Sequence, residues 1–224
     1  MQEIIKTITD GYENVLPLRR VRHEYRSFSL NETEDISELI EWIGDRECVL
    51  SWEYDGLAVI LTYDNGKLVQ AATRGDGDIG EDITRNAVNF KNVPLTINDT
   101  RHIVIQGELV ISYKTFNSIN AKLPQYEKYE NPRNMTARAA RALTPDMTAE
   151  FHVTFIPIEL MNARELGINR YSRGLDFIDG LGLCPVNWTL VNAANVTMVI
   201  SKREEQITGG VLIYPTYEIG RAHV

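Results

Sequence analysis

The chain has 224 residues, of which 43% are hydrophobic and 24% charged, and 23 basic against 31 acidic residues give a formal net charge of −8. This apolar share is typical of globular proteins, so disordered, collagen-like and low-complexity classes are excluded, and a chain of this length can bury a core without disulfide bonds. The acidic balance makes the chain a poor stand-alone DNA clamp, because neutralising phosphates requires clustered Lys and Arg. Contact with nucleic acid therefore requires local basic patches or a partner.

The number of cysteines and the lengths of the apolar runs indicate the cellular compartment of the protein. Cys48 and Cys184 are too few for a cysteine-based zinc site and form no C-x-x-C pair, which is typical of a protein from a reducing cytosol. No apolar run approaches the roughly 18–20 residues of a membrane span. The first residues contain acids and no apolar leader core, so the sequence predicts no secretory leader and a cytoplasmic location.

The N-terminal part of the chain is predicted to be helical. Apolar residues at 3–4 spacing predict an amphipathic helix over residues 2–16. A dense basic run follows at 18–26, and one interpretation is that it is the solvent-exposed end of the preceding helix. A second helix is predicted to begin with a cap at Asn31 or Thr33 and to end near Gly44.

The pattern changes to that of strands at Cys48. A strand is predicted over 48–54, and then LAVILTY, a D-N-G turn and KLVQAATR (57–74) predict a β-hairpin. The Gly- and Asp-rich loop 75–82 is interpreted as a structural turn. A calcium loop is the alternative, but the loop lacks the EF-hand spacing.

The remaining elements alternate between strands and helices. They comprise a strand pair at 102–112 around Gly107, helices at 114–122, 138–143 and 172–182, strands at 151–160 and 209–214, and two ambiguous segments at 186–191 and 196–200. This order predicts an α+β fold with largely antiparallel sheets.

We divide the chain into three parts. Residues 1–45 form a helical N-terminal remnant or linker, and residues 46–218 form the main domain. Residues 219–224 can be encoded by part of a common short-read sequencing adapter. We therefore interpret them as an assembly artefact on a truncated reading frame and leave them out of fold prediction.

Three stretches carry specific motifs. They are EYDGLAVILTYDNGKLVQAATRGDGDIGEDITRNAVNFKNVPL (53–95), VIQGELVI (104–111) and ENPRNMTARAARALTP (130–145). Together they closely resemble the nucleotidyltransferase (adenylation) domain of NAD-dependent DNA ligases, and ATRGDG-x-x-GED is the most specific part. Residues 21–35 are similar to the linker that precedes this domain in the family, so the resemblance covers about 18–214.

The resemblance implies an adenylation-type nucleotidyltransferase domain and a ligase reaction. In the family, the lysine of K-x-D-G attacks the α-phosphorus of NAD and keeps AMP, which then passes to a 5′-phosphate at a DNA nick before sealing. It implies NAD as cofactor, nicked double-stranded DNA as partner, and a place in DNA replication or repair. Mg²⁺ is expected from phosphoryl-transfer chemistry in general, because the sequence shows no ligand set for it.

The resemblance also assigns site residues. The catalytic positions are Glu53, where the family has its nucleophilic lysine, and Asp55. Residues implied to bind the nucleotide, its phosphates or DNA are Ser29, Leu30, Gly56, Arg74, Glu108, Arg133 and Arg141. In the family, Arg74 corresponds to a nucleotide contact and Glu108 to a ribose contact. For each residue, a turn, a surface salt bridge or a helix cap is the structural alternative.

Five positions depart from the family pattern. They are Ser51 (family Glu), Glu53 (Lys), Gln106 (Arg), Gly209 (Asp) and Tyr214 (Lys). A carboxylate at position 53 repels phosphate, and an acyl-adenylate is a labile anhydride, so adenylyl transfer by this chain is in question. The lost arginine also removes a fixed cation with a bidentate fork.

Three explanations of these departures stay open. A single-base change converts a lysine codon to glutamate and explains Glu53 alone. A catalytically inactive pseudoenzyme that binds nucleotide, DNA or a partner explains all five. A split, phage-like ligase would complete its site with a second subunit that carries the OB-fold and C-terminal modules.

Overall fold

The structure, a computed structural model, describes residues 18–27, 33 and 35–208, and of 204–208 the backbone alone. In chain order its elements are β1 (Arg20–Arg22), α1 (Ile36–Ile43), β2 (Cys48–Ser51), β3 (Leu57–Asp64), β4 (Lys67–Thr73), β5 (Ile79–Glu81), α2 (Thr84–Ala87), β6 (Ile103–Val110), α3 (Tyr113–Asn120), a 3₁₀ turn (Gln125–Glu127), α4 (Pro132–Ala140), α5 (Pro145–Ala149), β7 (Thr154–Leu160), α6 (Tyr171–Gly180), β8 (Trp188–Val191) and α7 (Val196–Thr208). The predicted helix 2–16, strand 209–214 and tail 219–224 lie outside the described residues.

A four-stranded antiparallel sheet in the order β4-β3-β6-β7 forms the centre of the molecule. The predicted hairpin is confirmed, because β3 pairs with β4 across the turn that follows Asp64. Helices lie among these strands in the chain, and every paired strand in the described residues is antiparallel. The α+β prediction is therefore confirmed.

One face of the central sheet supplies most of the core. Alternate residues of β3 and β6 point to it, and α4 covers it with Met135, Ala139 and Ala140. The fully buried side chains include Tyr63, whose hydroxyl donates to the carbonyl oxygen of Pro94 at 2.9 Å. Burial raises the pKa of this phenol. Each large apolar side chain buried here contributes about 1.5–3 kcal/mol to the stability of the fold.

Two smaller sheets pair segments that are far apart in sequence. One joins β1 to β5, and the other joins β2 to β8. Helices α1 and α7 pack on the second small sheet in a separate apolar cluster formed by Leu39, Ile43, Cys48, Leu50, Val191, Val196 and Ile200. Asp35 caps α1 by accepting from the N–H of Ser37 at 2.7 Å.

The interpretation of the basic run 18–26 as the solvent-exposed end of a helix is wrong. Residues Arg20–Arg22 form β1, which pairs with β5 inside the loop at 75–82. A three-residue strand is too short to show an alternating pattern, and its partner lies some sixty residues further along the chain. The strand is therefore stabilised by tertiary pairing rather than by local propensity.

Other predicted boundaries also need correction. The expected strand pair around Gly107 is one strand, β6, with a register shift opposite β7 at Gln106/Gly107. The expected helix 138–143 is the end of α4, which begins earlier, with Asn131 as its cap and Pro132 in its first turn. The strand predicted at 48–54 ends at Ser51. The ambiguous segments contain β8 and the start of α7.

No helix in the described part of the chain is long and apolar enough to cross a membrane. Both cysteines are free thiols: Cys48 is buried and Cys184 is exposed. Burial raises the pKa of the Cys48 thiol. Its role in the structure is therefore that of a small apolar side chain.

Candidate functional site

The link between β2 and β3, residues 52–56, carries the first group of predicted site residues. Glu53 is half-buried, and its carboxylate makes no hydrogen bond or ion pair within the described residues. Asp55 is exposed, and its Oδ1 accepts from Nη1 of Arg133 at 3.2 Å. A side chain on Gly56 would collide with the carbonyl oxygen of Leu109 on β6. The glycine therefore lets this link pack directly against the central sheet.

The central sheet places Arg74 and Glu108 at neighbouring positions. Arg74 follows β4, and its N–H donates to the carbonyl oxygen of Ala58 at 2.8 Å. Ala58 is in turn the register partner of Glu108 on β6. Both side chains are half-buried, and the Arg74 guanidinium has no partner in the part of the chain that is described. Such a guanidinium can pair with a phosphate, while a carboxylate nearby can accept from hydroxyl groups.

The face that carries Glu108 is the one opposite the core. Along β6, Ile105 and Leu109 point into the core, and Gln106 and Glu108 alternate with them on this outer face. The Oε1 atom of Gln106 is buried and has no hydrogen-bond donor within the described residues. A buried acceptor without a donor is uncommon in folded proteins, so Gln106 is an unsatisfied polar position on this face of the sheet.

Helix α4 connects two of the motif segments through its arginines. Arg133 lies in its first turn and pairs with Asp55. Arg141 follows its last residue, and its Nε donates to Oε2 of Glu81 on β5 at 2.6 Å. The Arg133–Asp55 pair is well exposed, so it contributes little to stability and can exchange its carboxylate for another anion, whereas the Arg141–Glu81 pair is partly buried. These two ion pairs join the motif segment 130–145 to the motif segment 53–95.

Carboxylates of the loop 75–82 stabilise its turn by accepting hydrogen bonds. Asp76 Oδ1 accepts from the N–H groups of Ile79 at 2.8 Å and Asp78 at 3.0 Å, and these bonds lower the pKa of Asp76. Burial acts to raise the pKa of Asp82, but hydrogen bonds from Thr84 and Arg19 lower it overall. This geometry supports the structural interpretation of the loop over a calcium loop. Within the described residues, no group of three or more His, Cys, Asp or Glu could hold a metal ion.

A buried cation that sequence reasoning missed lies near the link 52–56. Arg203 on α7 is 7% exposed, and its Nη2 donates to the carbonyl oxygen of Leu50 at 3.2 Å. Its guanidinium also lies 4.8 Å from the ring centroid of Trp52. It occurs in a charged run (KREE) at the end of an ambiguous segment, so no local signal distinguishes it from a solvated side chain.

Two predicted site residues are not among the described residues, and two surface hollows lie away from the candidate site. Ser29 and Leu30 lie outside the described residues. One hollow, of about 580 Å³, lies between the hairpin turn and residues 96–101, and another, of about 330 Å³, is lined mainly by residues 159–171. Neither hollow is lined by a predicted site residue within the described part of the chain.

Comparison with known proteins identifies the family. The family model of the NAD-dependent DNA ligase adenylation domain matches residues 16–208. This match covers most of the chain, including every motif segment placed above. The chain therefore belongs to the NAD-dependent DNA ligase adenylation domain family.

Curated relatives agree with this assignment. A DNA ligase of Lachnoclostridium phytofermentans is 40% identical over 201 residues, which cover 88% of this chain and 30% of the relative. A DNA ligase of Ruminiclostridium cellulolyticum is 37% identical over 188 residues, 83% of this chain and 29% of the relative. A DNA ligase of Clostridioides difficile is 35% identical over 160 residues, 70% of this chain and 24% of the relative. The chain thus spans about a third or less of these relatives.

Proposed function

We propose that this chain binds the adenosine and phosphate part of NAD on the outer face of its central sheet, as the adenylation domain of a DNA ligase, and that Glu53 prevents covalent transfer of AMP in the chain as it stands. The observation that carries the proposal is the position of Glu53. It stands in the link before Asp55 and Gly56, where the family's first step requires an amine.

The binding half of the proposal assigns one role to each group. Arg74 pairs with a phosphate through its guanidinium, which has no partner among the described residues, and Glu108 accepts from the ribose hydroxyls. Arg133 and Arg141 exchange their carboxylate partners for phosphates of NAD or DNA. Ser29, Leu30 and Gly56 remain predicted contacts to the dinucleotide, and Mg²⁺ remains an expected counter-ion for its phosphates.

The covalent half follows from the chemistry of the nucleophile. In the family reaction, a lysine nitrogen forms a bond to the α-phosphorus as the bond to nicotinamide mononucleotide breaks, and the nitrogen releases its proton to solvent. Glu53 offers a carboxylate in place of the amine, and a carboxylate repels the phosphate. Any acyl-adenylate that formed would be a labile mixed anhydride. Binding without transfer is therefore the outcome that this residue favours.

The DNA partner follows from the same family role. Nicked double-stranded DNA is the proposed macromolecular ligand, with Arg133 and Arg141 as its local basic contacts. The net charge of −8 makes the chain alone a weak binder of phosphates. We therefore propose that sealing of a nick requires further ligase domains or a second subunit. We place this reaction in the cytoplasm.

A calorimetric titration with NAD tests the binding half. The unmodified chain is expected to bind NAD saturably, and Arg74→Ala is expected to weaken binding by roughly 10-fold to 100-fold, because a hydrogen bond to a charged group is lost. Arg173→Ala is the matched control, since Arg173 is an exposed arginine that pairs with Asp176 on α6. Absence of saturable binding, or equal affinities for Arg74→Ala and the unmodified chain, would contradict the proposal.

A further inference from the structure

Residues 19–27 are attached along the whole loop that follows Arg74. The carbonyl oxygen of Arg19 accepts from the N–H of Asp82 at 2.8 Å, and the N–H of His23 donates to the carbonyl oxygen of Asp78 at 2.8 Å. Pairing of β1 with β5 lies between these two bonds. This segment is therefore a structural part of the loop, although more than fifty residues separate the two in sequence.

Two glycines of the loop make this close attachment possible. A side chain on Gly77, which has φ +95°, would collide with the carbonyl oxygen of Ser27, whose N–H donates to the Gly77 carbonyl oxygen at 3.1 Å. A Cβ on Gly80 would lie 2.9 Å from Nε2 of His23, in addition to colliding with Thr73. The space that these glycines leave is filled by the backbone of residues 19–27 and by the His23 ring.

The His23 ring ends on the backbone of Arg74. Its Nε2 atom lies 3.0 Å from the Arg74 carbonyl oxygen, and a carbonyl oxygen only accepts, so Nε2 is the donor in this contact. The same carbonyl accepts from the N–H of Gly77 at 3.1 Å, and the Arg74 N–H donates to Ala58. The backbone of Arg74 is thus held from three sides: by β3, by its own loop and by His23.

We infer that His23 is a positioning residue for Arg74: it fixes the Arg74 backbone so that the guanidinium is held ready for the nucleotide phosphate. This inference rests on the proposed function, in which Arg74 binds that phosphate. His23 does not touch the ligand and acts only through the carbonyl that it holds. A guanidinium on a fixed backbone loses less conformational freedom when the ligand binds, so the hydrogen bond contributes to affinity.

A double-mutant cycle measured by NAD titration tests the inference. His23→Ala is expected to lower affinity about 5-fold to 10-fold, the size of effect that one hydrogen bond gives. His23→Gln is expected to restore affinity to within about 2-fold, because its amide nitrogen reaches as far as Nε2 and can donate to the same carbonyl. In the Arg74→Ala background, His23→Ala is expected to have no further effect. Tyr25→Phe is the matched control, since it removes a bond to Glu165 from the same segment without touching Arg74.

Three outcomes overturn the inference. Equal losses from His23→Ala in both backgrounds would show that His23 acts on the fold and not through Arg74, as would a failure of His23→Gln to restore affinity. No loss from His23→Ala would show that the bond is unimportant. If the unmodified chain does not bind NAD at all, the proposed function fails too, whereas additive losses in a chain that binds NAD reject the role of His23 alone.

Discussion

The central sheet and the two small sheets differ in how far apart along the chain their partners lie. β3 and β4 form a hairpin across a tight turn, so their pairing is specified locally. β1 pairs with β5 across about sixty residues, and β2 pairs with β8 across about 140 residues. The central sheet also supplies most of the side chains of the large core. None of the largest fully buried side chains lies on β1 or β5.

The candidate site lies where these two kinds of sheet meet. Glu53 and Asp55 follow β2, and Arg74 lies between β4 and the loop that pairs with β1. The central sheet therefore forms the base of the candidate site, and the small sheets hold the segments that carry these predicted site residues. Variants of the two regions should separate loss of fold from loss of site geometry.

The largest effect is expected in the central sheet. Phe155 on β7 is fully buried in the core, so Phe155→Ala should lower the free energy of unfolding by about 3–5 kcal/mol through lost burial and a residual cavity. Urea denaturation of the chain measures this change. Val69→Ala on β4, where the side chain is 49% exposed, is the control and should change stability by less than about 1 kcal/mol. Comparable losses in the two variants would show that the core is not where we place it.

A smaller effect is expected at the seam between β1 and β5. Gly77→Ala should cost about 2–3 kcal/mol, because it adds a collision with Ser27 to the strain of a positive φ. Gly167→Ala is the matched control, since Gly167 has φ +76° and a Cβ added there would meet no atom within 4 Å, so it measures the strain alone.

Hydrogen exchange locates the damage at this seam. In Gly77→Ala, the amides of His23 and Ser27 should lose protection while those of β3 and β6 keep theirs. Uniform loss across all strands would mean that the small sheet is not a separate unit from the central one.

The smallest effect is a pH dependence at the junction of residues 19–27 with the central sheet. His102 Nδ1 lies 2.7 Å from Asp64 Oδ1, and its Nε2 lies 2.9 Å from Glu24 Oε2. The hydrogen bond with Asp64 comes first among the causes that raise the pKa of His102 in the folded chain, although partial burial opposes it. Protonation therefore stabilises the folded state. The stabilisation is fully present below about pH 6.5, the unfolded value, and is lost as pH rises through the folded pKa.

The slope of stability against pH measures this contribution. His102→Gln should flatten the decline above pH 6.5 or so, whereas His152→Asn, at an exposed histidine, should leave it unchanged. The effect is small because both acids are well exposed to solvent. A decline of unchanged slope in His102→Gln would assign it to another group.

Features that depend on local pattern and on motifs could be predicted from the sequence. The hairpin follows from its turn and from alternating residues, and α6 from its spacing. The motif resemblance selected Arg74 and Glu108, which the fold places at neighbouring positions. Their contact with a nucleotide stays a prediction, as do the roles of the other predicted site residues.

Contacts between distant segments could not be predicted from the sequence. The bonds of His23 and Arg203 depend on pairing across more than fifty residues, and each residue occurs in a charged run that is typical of a solvated surface. The ion pairs of Arg133 and Arg141 with Asp55 and Glu81 likewise form only when α4 packs on the sheet. The order of residues along the chain does not show which distant segments come into contact.

The most direct test of the role of Glu53 is the intact mass of the full chain after incubation with NAD and Mg²⁺. The unmodified chain is expected to gain no AMP, because Glu53 offers no amine. Glu53→Gln, which removes the charge without adding an amine, should also gain none, and Glu53→Lys should gain one AMP. A covalent gain of AMP by the unmodified chain would contradict the proposed function and require a different nucleophile.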